Sequence, residues 1–297
     1  LAKSTRKGTG TAVTLEDHLK DTADAARKIF TADTRVGKNF QRAFGVDKFG
    51  DKFILNLLVA CLFHDIGKAN EGFAAAVTKG KRDAQVIRHE HLSALILQLP
   101  EIQEWLKSNS QLDLEIILGA VLSHHLKADA ETFASPPNGC DVPMCDIFLS
   151  HIEIANTMQR IAEIAGLEAP PNLEDKALTY YSKEDTPWRE LIANTRSLNK
   201  TLCRRIGAQT PGTEEERRQL LAAVKTALII ADSVASATVR ERLSMGDWLN
   251  EHLHIAPITG SELEKEIISK CVSRIEEHSG KTFIPTPFQQ GMANLGA

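Results

Sequence analysis

At 297 residues with 42% hydrophobic content, the chain is long enough to bury a sizeable core, and its composition is that of one large soluble domain or slightly more. The 35 basic residues against 39 acidic ones give a formal net charge of −4, which excludes coating of duplex DNA through bulk electrostatics. The five cysteines include no CxxC pair, which excludes a disulfide framework and a zinc knuckle and favours a reducing, cytoplasmic location.

Helical periodicity dominates from the N-terminus onwards. In residues 14–29 the apolar positions share one face, and His18 lies on that face. Residues 52–63 are nearly continuously apolar and predict a buried helix that runs directly into His64-Asp65-Ile66-Gly67-Lys68. This apolar run is too short to cross a bilayer, so no membrane anchor is expected. Further helices are predicted at 89–99, 113–124, 145–165, 187–206, 214–242 and 261–278, and no alternating pattern indicates a strand.

Two segments interrupt the helices. Residues 128–143 and 166–186 are rich in Pro, Gly, Asn and Asp and are interpreted as irregular loop insertions. Residues 1–260 are predicted to form one domain, and residues 261–297 a C-terminal helix and linker. Because the chain begins at Leu1 rather than Met and stops without an obvious ending, we expect the natural polypeptide to be longer.

The His64-Asp65 pair is the first candidate metal site. An ionised carboxylate at the end of an apolar helix needs a compensating charge, and a divalent cation supplies one. A carboxylate can bridge two ions, while neutral imidazole suits Mn, Fe, Co, Ni and Zn. A chance His-Asp dipeptide is common enough that the pair by itself is weak support for a metal site.

Other residues strengthen this interpretation. His18 precedes the pair by about one helix, Arg88-His89-Glu90 opens a later helix, and His124-His125 closes another. Asp232 follows Leu228-Ile229-Ile230-Ala231, a pattern that predicts a buried carboxylate in need of a cation or several hydrogen bonds.

Each of these residues also has a simpler structural interpretation. His18 is compatible with an ordinary inward-facing histidine, and His124-His125 with a surface pair at a helix C-terminus. Lys68 is either a solvated lysine or a phosphate contact. His89 and His91 are about 200° apart around a helix, so one is expected in a shared site and the other on the solvated surface.

Taken in order, these motifs resemble the HD superfamily, and more narrowly the HD nuclease domain of the nuclease-helicase of type I CRISPR systems. The resemblance spans residues 14–240. It rests on His18, His64-Asp65-Ile66-Gly67-Lys68, Arg88-His89-Glu90-His91-Leu92-Ser93-Ala94, Ser123-His124-His125 and Ala231-Asp232-Ser233-Val234-Ala235-Ser236. The segment 283–290 (FIPTPFQQ) is similar to the glutamine-bearing segment that precedes the motor of superfamily 2 helicases.

The resemblance implies an all-α HD-superfamily helical bundle that holds one or two divalent ions, among Mn, Ni, Co, Fe and Mg. It places His18, His64, Asp65 and Asp232 around one ion, and His89, His124 and His125 around a second that Asp65 bridges. His89 is chosen over His91 because it lies between Arg88 and Glu90. Asp65 and Lys68 are the implied catalytic residues, and the implied substrate contacts are Lys68, Arg88, Ser233 and Ser236.

The implied activity is hydrolysis of phosphodiester bonds in single-stranded DNA in CRISPR interference. The implied partners are an RNA-guided surveillance complex and a helicase in cis, which alone would use ATP. A local basic groove at Lys79, Lys81, Arg82 and Arg88 is a candidate for holding the strand, although these side chains also fit an ordinary solvated loop. Two alternatives remain open: an HD phosphohydrolase acting on nucleotides or cyclic dinucleotides, and a catalytically silent HD domain that only docks a partner.

Overall fold

The computed structural model of the chain describes residues 13–79, 87–125, 144–179, 193, 213–253 and 264–285. The backbone divides into two compact units, Leu1–Leu253 and His254–Ala297. The first unit contains all of the candidate metal ligands. The predicted helix at 187–206 lies, except for residue 193, outside the described residues.

The first unit is built from helices, with two short strands among them. The elements are α1 (Leu15–Phe30), α2 (Arg35–Phe44), a 3₁₀ turn (Asp47–Phe49), α3 (Asp51–Phe63), a 3₁₀ turn (Ile66–Lys68), α4 (Glu71–Lys79), α5 (His89–Leu97), α6 (Pro100–Lys107), α7 (Leu114–Ser123), β1 (Met144–Ile147), α8 (Ile152–Ala165), β2 (Lys176–Thr179), α9 (Thr213–Glu241) and α10 (Met245–His252). The predicted all-α class is confirmed.

Helix α3 lies at the centre of the first unit. Helices α1, α7, α8 and α9 contact it, and every residue from Asn56 to Phe63 is buried. A helix at this position must be apolar on all sides, because each buried apolar Å² contributes about 25 cal/mol. The C-terminal end of α3 therefore delivers His64 and Asp65 into the protein interior.

Asn56 is the one polar residue in the buried part of α3, and it is fully hydrogen-bonded. Its Nδ2 donates to the carbonyl oxygens of Lys52 and Gln111, each at 2.8 Å. Its Oδ1 accepts from the backbone N–H of Asp113 at 2.8 Å. Asn56 thus fixes the start of α7 against α3, and the far end of α7 leads to His124.

The portion Glu215–Glu241 of α9 is long and apolar enough, by length and composition, to cross a membrane. A core helix meets the same criterion, and α9 packs against α1, α3 and α7 through buried residues that include Leu220, Ala227 and Ala231. Arg217 also ties the start of α9 to α7 through Asp113 and Glu115, at 3.0 and 2.6 Å. We therefore describe α9 as a core helix.

The predicted helix at 145–165 is wrong in its first part. Residues Met144–Ile147 form β1, which pairs antiparallel with β2, and α8 begins only at Ile152. Residues 145–149 alternate between buried Cys145, Ile147 and Leu149 and exposed Asp146 and Phe148. This period of two is that of a strand, and it is too short to stand out in the sequence. Strand β2 likewise lies inside the predicted loop 166–186.

The second unit contains a π-helical turn, Glu264–Ile268, followed by α11 (Ser269–Ser279). Helix α11 ends at Gly280, which has a left-handed backbone conformation, and Phe283 N–H then donates to Glu276 Oε1 at 2.8 Å. The predicted helix at 261–278 is confirmed over these residues. The glutamine-bearing part of segment 283–290 lies beyond residue 285, outside the described residues.

Candidate metal centre

Helix α1 presents His18 to the interior. Thr14 begins the helix as its N-cap, where its hydroxyl accepts from Asp17 N–H, and His18 follows one turn later with only 2% of its surface exposed. Its Nε2 lies 3.0 Å from Asp65 Oδ2 and 3.3 Å from Asp232 Oδ1. The inward face predicted from helical periodicity is therefore correct, and it brings His18 to the His64-Asp65 pair.

His64 and Asp65 stand where α3 gives way to a 3₁₀ turn. His64 keeps a helical backbone, and its Nδ1 lies 2.7 Å from the carbonyl oxygen of Cys61. Asp65 leaves the helix with φ −114° and ψ 7°, which directs its carboxylate back into the core. Its Oδ2 lies 3.3 Å from His64 Nε2 and contacts Lys68 Nζ.

The other oxygen of Asp65 faces a second set of histidines. Asp65 Oδ1 lies 3.1 Å from Nε2 of His89, the first residue of α5, and 3.7 Å from Nε2 of His124, at the end of α7. His125 Nε2 is 3.0 Å from His89 Nε2. One carboxylate therefore divides its two oxygens between two groups of imidazoles.

Asp232 approaches from α9. Its Oδ1 accepts a hydrogen bond from Ser236 Oγ at 2.9 Å and lies 3.9 Å from His64 Nε2. This carboxylate was expected to be buried, but it is only partly buried, since 24% of its side chain is exposed. The hydrogen bond from Ser236, which is buried, offsets the cost of partly burying this carboxylate. Ser233, on the same helix, is exposed.

The structure thus assembles all seven of the metal ligands expected from the sequence. We define the first cluster as His18, His64, Asp65 and Asp232, and the second cluster as Asp65, His89, His124 and His125. The ligand atoms of the second cluster all lie within 4.8 Å of one another, and so do those of His18, His64 and Asp65. Five separate segments contribute these side chains: α1, the end of α3, the start of α5, the end of α7, and α9.

The ligand atoms of the two clusters are better arranged to bind divalent ions than to hydrogen-bond with one another. The Nε2 atoms of His64 and His124 and the Oδ1 atom of Asp65 are buried without a hydrogen-bond partner in the described chain. Unsatisfied buried polar atoms are costly, so their convergence calls for another occupant. Imidazole nitrogen mixed with carboxylate oxygen suits Mn, Fe, Co and Ni, and a carboxylate with two separately aimed oxygens suits a bridging position.

The charges around Asp65 keep it ionised. Burial alone would raise its pKa, but the ammonium of Lys68 and the imidazoles of His64 and His89 hold the pKa of Asp65 well below its usual range. Burial lowers the pKa of His64. Burial, with the neighbouring His124 and His89, lowers the pKa of His125 to about 4. These shifts favour the neutral imidazole that binds a metal at His64 and His125. Burial alone would lower the pKa of His18 and His124 as well, but contacts with the carboxylates of Asp232 and Asp65 raise it.

The basic residues expected to contact the DNA strand lie in different surroundings. Lys68 is 9% exposed and lies against Asp65, and its expected contact with a phosphate stays a prediction. Arg88 is the N-cap of α5, and its Nε lies 2.5 Å from Glu90 Oε1, so a buried carboxylate already offsets its charge. Lys79 ends α4, and Lys81 and Arg82 lie outside the described residues.

The choice of His89 over His91 agrees with the geometry, but the expected environment of His91 is wrong. His91 is completely buried rather than solvated. Helix α5 is enclosed on all sides, because every residue from Glu90 to Leu97 is buried, and so a residue facing away from the centre is still inside the protein.

Two neighbours of the second cluster were not predicted as site residues. The ring of Phe73, on α4, lies 5.9 Å from the His89 ring in an edge-to-face arrangement and 5.4 Å from Lys68 Nζ. Glu90 is 1% exposed, and its Oε2 lies 3.6 Å from His89 Nδ1. Glu90 could have been suspected from the sequence because it follows His89. Phe73 could not, because it looks like any other apolar residue of a helix.

Comparisons with known proteins identify the family to which the chain is similar. The family model described as "Cas3, HD domain" matches residues 1–240. The chain is 28% identical, over 287 residues, to a protein of Myxococcus xanthus (strain DK1622) named as a CRISPR-associated nuclease/helicase Cas3. That alignment covers 96% of this chain but only 35% of the relative, so the chain spans about a third of the relative's length. No solved structure matches the chain.

Proposed function

This chain belongs to the Cas3 HD-domain family, and from that premise we propose that it is a metal-dependent nuclease that hydrolyses phosphodiester bonds in single-stranded DNA during CRISPR interference. The observation that carries the proposal is the division of one carboxylate between two clusters of imidazoles. Asp65 Oδ2 faces His18 and His64, and Asp65 Oδ1 faces His89 and His124. Each of the two groups of histidines would hold a divalent ion, and Asp65 would contribute an oxygen to both.

We propose that the first and second clusters each hold one ion. When bound, divalent ions supply Lewis-acid chemistry, which polarises a phosphate and lowers the pKa of water. The residues of the chain hold and orient that chemistry. The Nδ1 atoms of His64 and His124 lie 2.7 and 2.6 Å from the carbonyl oxygens of Cys61 and Val121, which directs both Nε2 lone pairs into the centre.

Substrate contacts come from the rim of the centre. We propose that the Lys68 ammonium, held beside Asp65, binds a nonbridging oxygen of the scissile phosphate. Arg88, about a third exposed, and the α9 serines Ser233 and Ser236 are further proposed contacts to the strand. With a net charge of −4, the chain must hold DNA through such local contacts rather than through its overall field.

The relative's name suggests the wider context. Because the matched relative is named as a nuclease/helicase and is much longer than this chain, we propose that a helicase follows in cis and that it is the part that consumes ATP. We further propose cytoplasmic action with an RNA-guided surveillance complex, and that the unit His254–Ala297 leads toward the helicase.

The test is to incubate the metal-stripped chain with circular single-stranded DNA, with Mg, Mn, Ni or Co added back. Parallel reactions contain nucleoside triphosphates and cyclic dinucleotides. Metal-restored nicking of the circle supports the proposal, because an unbroken circle offers no end to an exonuclease. Turnover of small nucleotides with the circle intact would replace it with a nucleotide phosphohydrolase.

Asp65→Ala should abolish nicking without unfolding the chain. The matched control is Asp33→Ala, which removes an exposed carboxylate in the turn between α1 and α2, fifteen residues after His18 in the sequence, and should leave nicking unchanged. Full activity of Asp65→Ala would contradict the metal centre. An inactive wild-type chain that binds its ions would instead indicate a docking domain.

A further inference from the structure

We infer that Arg240 binds a phosphate of the DNA strand near the cleaved bond, so that the strand leaves the metal centre along the last turns of α9. This role rests on the proposed function and deepens it, because it gives the same single-stranded substrate a path across the protein. Arg240 would contact a neighbouring phosphate rather than the scissile one.

Helix α9 extends past the metal centre. It runs in the same direction as its neighbours, because Arg217 pairs with Asp113 near the starts of α9 and α7, and Asp232 lies 3.9 Å from His64, which directly follows α3. Helices α3 and α7 end at the centre, whereas α9 continues to Glu241. The residues 233–241, about 13 Å of helix, therefore extend beyond the metal ligand of α9.

The first cluster opens to solvent on the α9 side. The side chains of His18, His64 and Asp65 are 3, 0 and 3% exposed, whereas that of Asp232 is 24% exposed. Ser233, the next residue of α9, is exposed as well. A strand reaches the first cluster most directly past Asp232, and the end of α9 borders this approach.

The side chain of Arg240 is directed back along α9 toward Asp232. Ser236 and Arg240 follow Asp232 at intervals of four residues, a spacing that keeps side chains on one face of a helix. Arg240 Nε donates to the carbonyl oxygen of Ser236 at 3.2 Å, and Ser236 Oγ donates to Asp232 Oδ1 at 2.9 Å. The exposed guanidinium in the last turn of α9 therefore leans toward the centre.

The distance along the helix limits which phosphate Arg240 can bind. The eight residues from Asp232 to Arg240 span about 12 Å. Nucleotides of a stacked strand follow one another at about 3.4 Å, so the bound phosphate lies within about four linkages of the scissile one.

The charge of Arg240 is available to an anion. Lys68 and Arg88, the other cations proposed to contact the strand, each lie against a carboxylate, of Asp65 and Glu90. In the part of the chain that the structure describes, no carboxylate lies at ion-pair distance from Arg240. A guanidinium binds phosphate through two parallel N–H donors, and a chain of net charge −4 depends on such local contacts. A cation in the last turn also stabilises its helix, so the test must read DNA binding directly.

The first test measures binding of a fluorescent twelve-nucleotide oligothymidylate to the full metal-free chain at several salt concentrations. Each phosphate contact to a single strand contributes about 0.7 to the slope of log Kd against log salt concentration. Arg240→Gln should lower this slope by about 0.7 and weaken binding by about 3–5-fold at low salt. Arg240→Lys keeps the charge and should retain the slope.

The control is Arg42→Gln, which removes an exposed guanidinium of α2 that donates to Asn39 Oδ1 at 3.3 Å. It should keep the wild-type slope, because α2 packs against α1 and the first part of α9, away from the centre.

The second test measures KM for cleavage of the same oligonucleotide with Mn²⁺ added. Arg240→Gln should raise this KM by about 3–5-fold. The rise should exceed any change in KM for bis(4-nitrophenyl) phosphate, a phosphodiester too small to reach from the centre to Arg240. A purely structural role of Arg240 would change both values of KM together.

The outcomes separate this contact from the proposed function. If the wild type cleaves DNA and Arg240→Gln keeps its salt slope, only the strand contact fails. If Arg240→Gln loses the expected slope but no metal restores cleavage by the wild type, the proposed nuclease fails and the contact stands. A wild-type chain that neither binds nor cleaves the oligonucleotide would overturn both.

Discussion

Replacement of Gly67 by alanine should disrupt the centre without replacing any of the proposed metal ligands. Gly67 lies in the turn between Asp65 and Lys68, and its N–H donates to Ser93 Oγ of α5 at 2.8 Å. A Cβ at this position would lie 2.5 Å from the backbone nitrogen of Ser93 and still closer to the carbonyl oxygen of His89. Both obstacles are backbone, so they cannot be relieved by a rotamer change.

The size of the effect follows from these distances. Normal contact requires about 3.4 Å, so α5 must move away from the turn by on the order of 1 Å. His89 begins α5, so the movement separates its Nε2 from Asp65 Oδ1, now 3.1 Å away. Overpacking costs about 1–3 kcal/mol of stability, and a 1 Å misplacement costs about 100-fold in rate.

The assays are urea unfolding and metal-restored nicking of circular single-stranded DNA. Gly246→Ala is the control, because it makes the same change in α10, where the new methyl would meet side-chain atoms alone, the flexible end of Lys28 at 3.3 Å and Ser244 Oγ at 3.9 Å. It should keep full nicking activity and wild-type stability or slightly more. A Gly67→Ala protein as stable and as active as the wild type would refute the close approach of α5.

Three further predictions concern metal, core and thiols. Chelation of metal should lower the melting temperature. Adding Mn²⁺ at 100 times its Kd should raise the free energy of unfolding by about 2.7 kcal/mol, as read by calorimetry. Asn56→Ala should lower the free energy of unfolding, measured with urea, by about 2–4 kcal/mol, because it leaves the Gln111 carbonyl and the Asp113 N–H without their hydrogen-bond partner. Burial raises the pKa of Cys145 to about 11, so at pH 8 iodoacetamide should label exposed Cys271 and spare Cys145, as read by mass spectrometry.

The sequence predicted the site best where a long hydrophobic pattern ended at residues whose charge must be compensated. The apolar run of α3 ends at His64-Asp65, and a helix apolar on all sides belongs at the centre of a bundle, so these two residues had to reach the interior. The inward face of α1 placed His18 by periodicity alone. Helices α2 and α6, of 10 and 8 residues, were not predicted from the sequence.

The remaining features depend on tertiary packing. The side of a helix on which a residue lies does not reveal whether that side is covered, and for this reason buried His91 was expected at the surface. The strands β1 and β2 have four residues each and are stabilised by each other across 28 intervening residues, which no local pattern records. The proximity of Phe73 to His89 likewise arises only when α4 packs against α5.

The contact between His18 and Asp232 has a consequence for synthesis of the protein. The two side chains lie 3.3 Å apart in the folded chain but are separated by more than 200 residues, with α9 the last to contribute. A nascent chain therefore carries His18, His64, His89 and both later histidines before it can close the first cluster. We expect the metal centre to assemble late, after α9 leaves the ribosome and docks, so that incomplete chains would not acquire the activity of the finished domain.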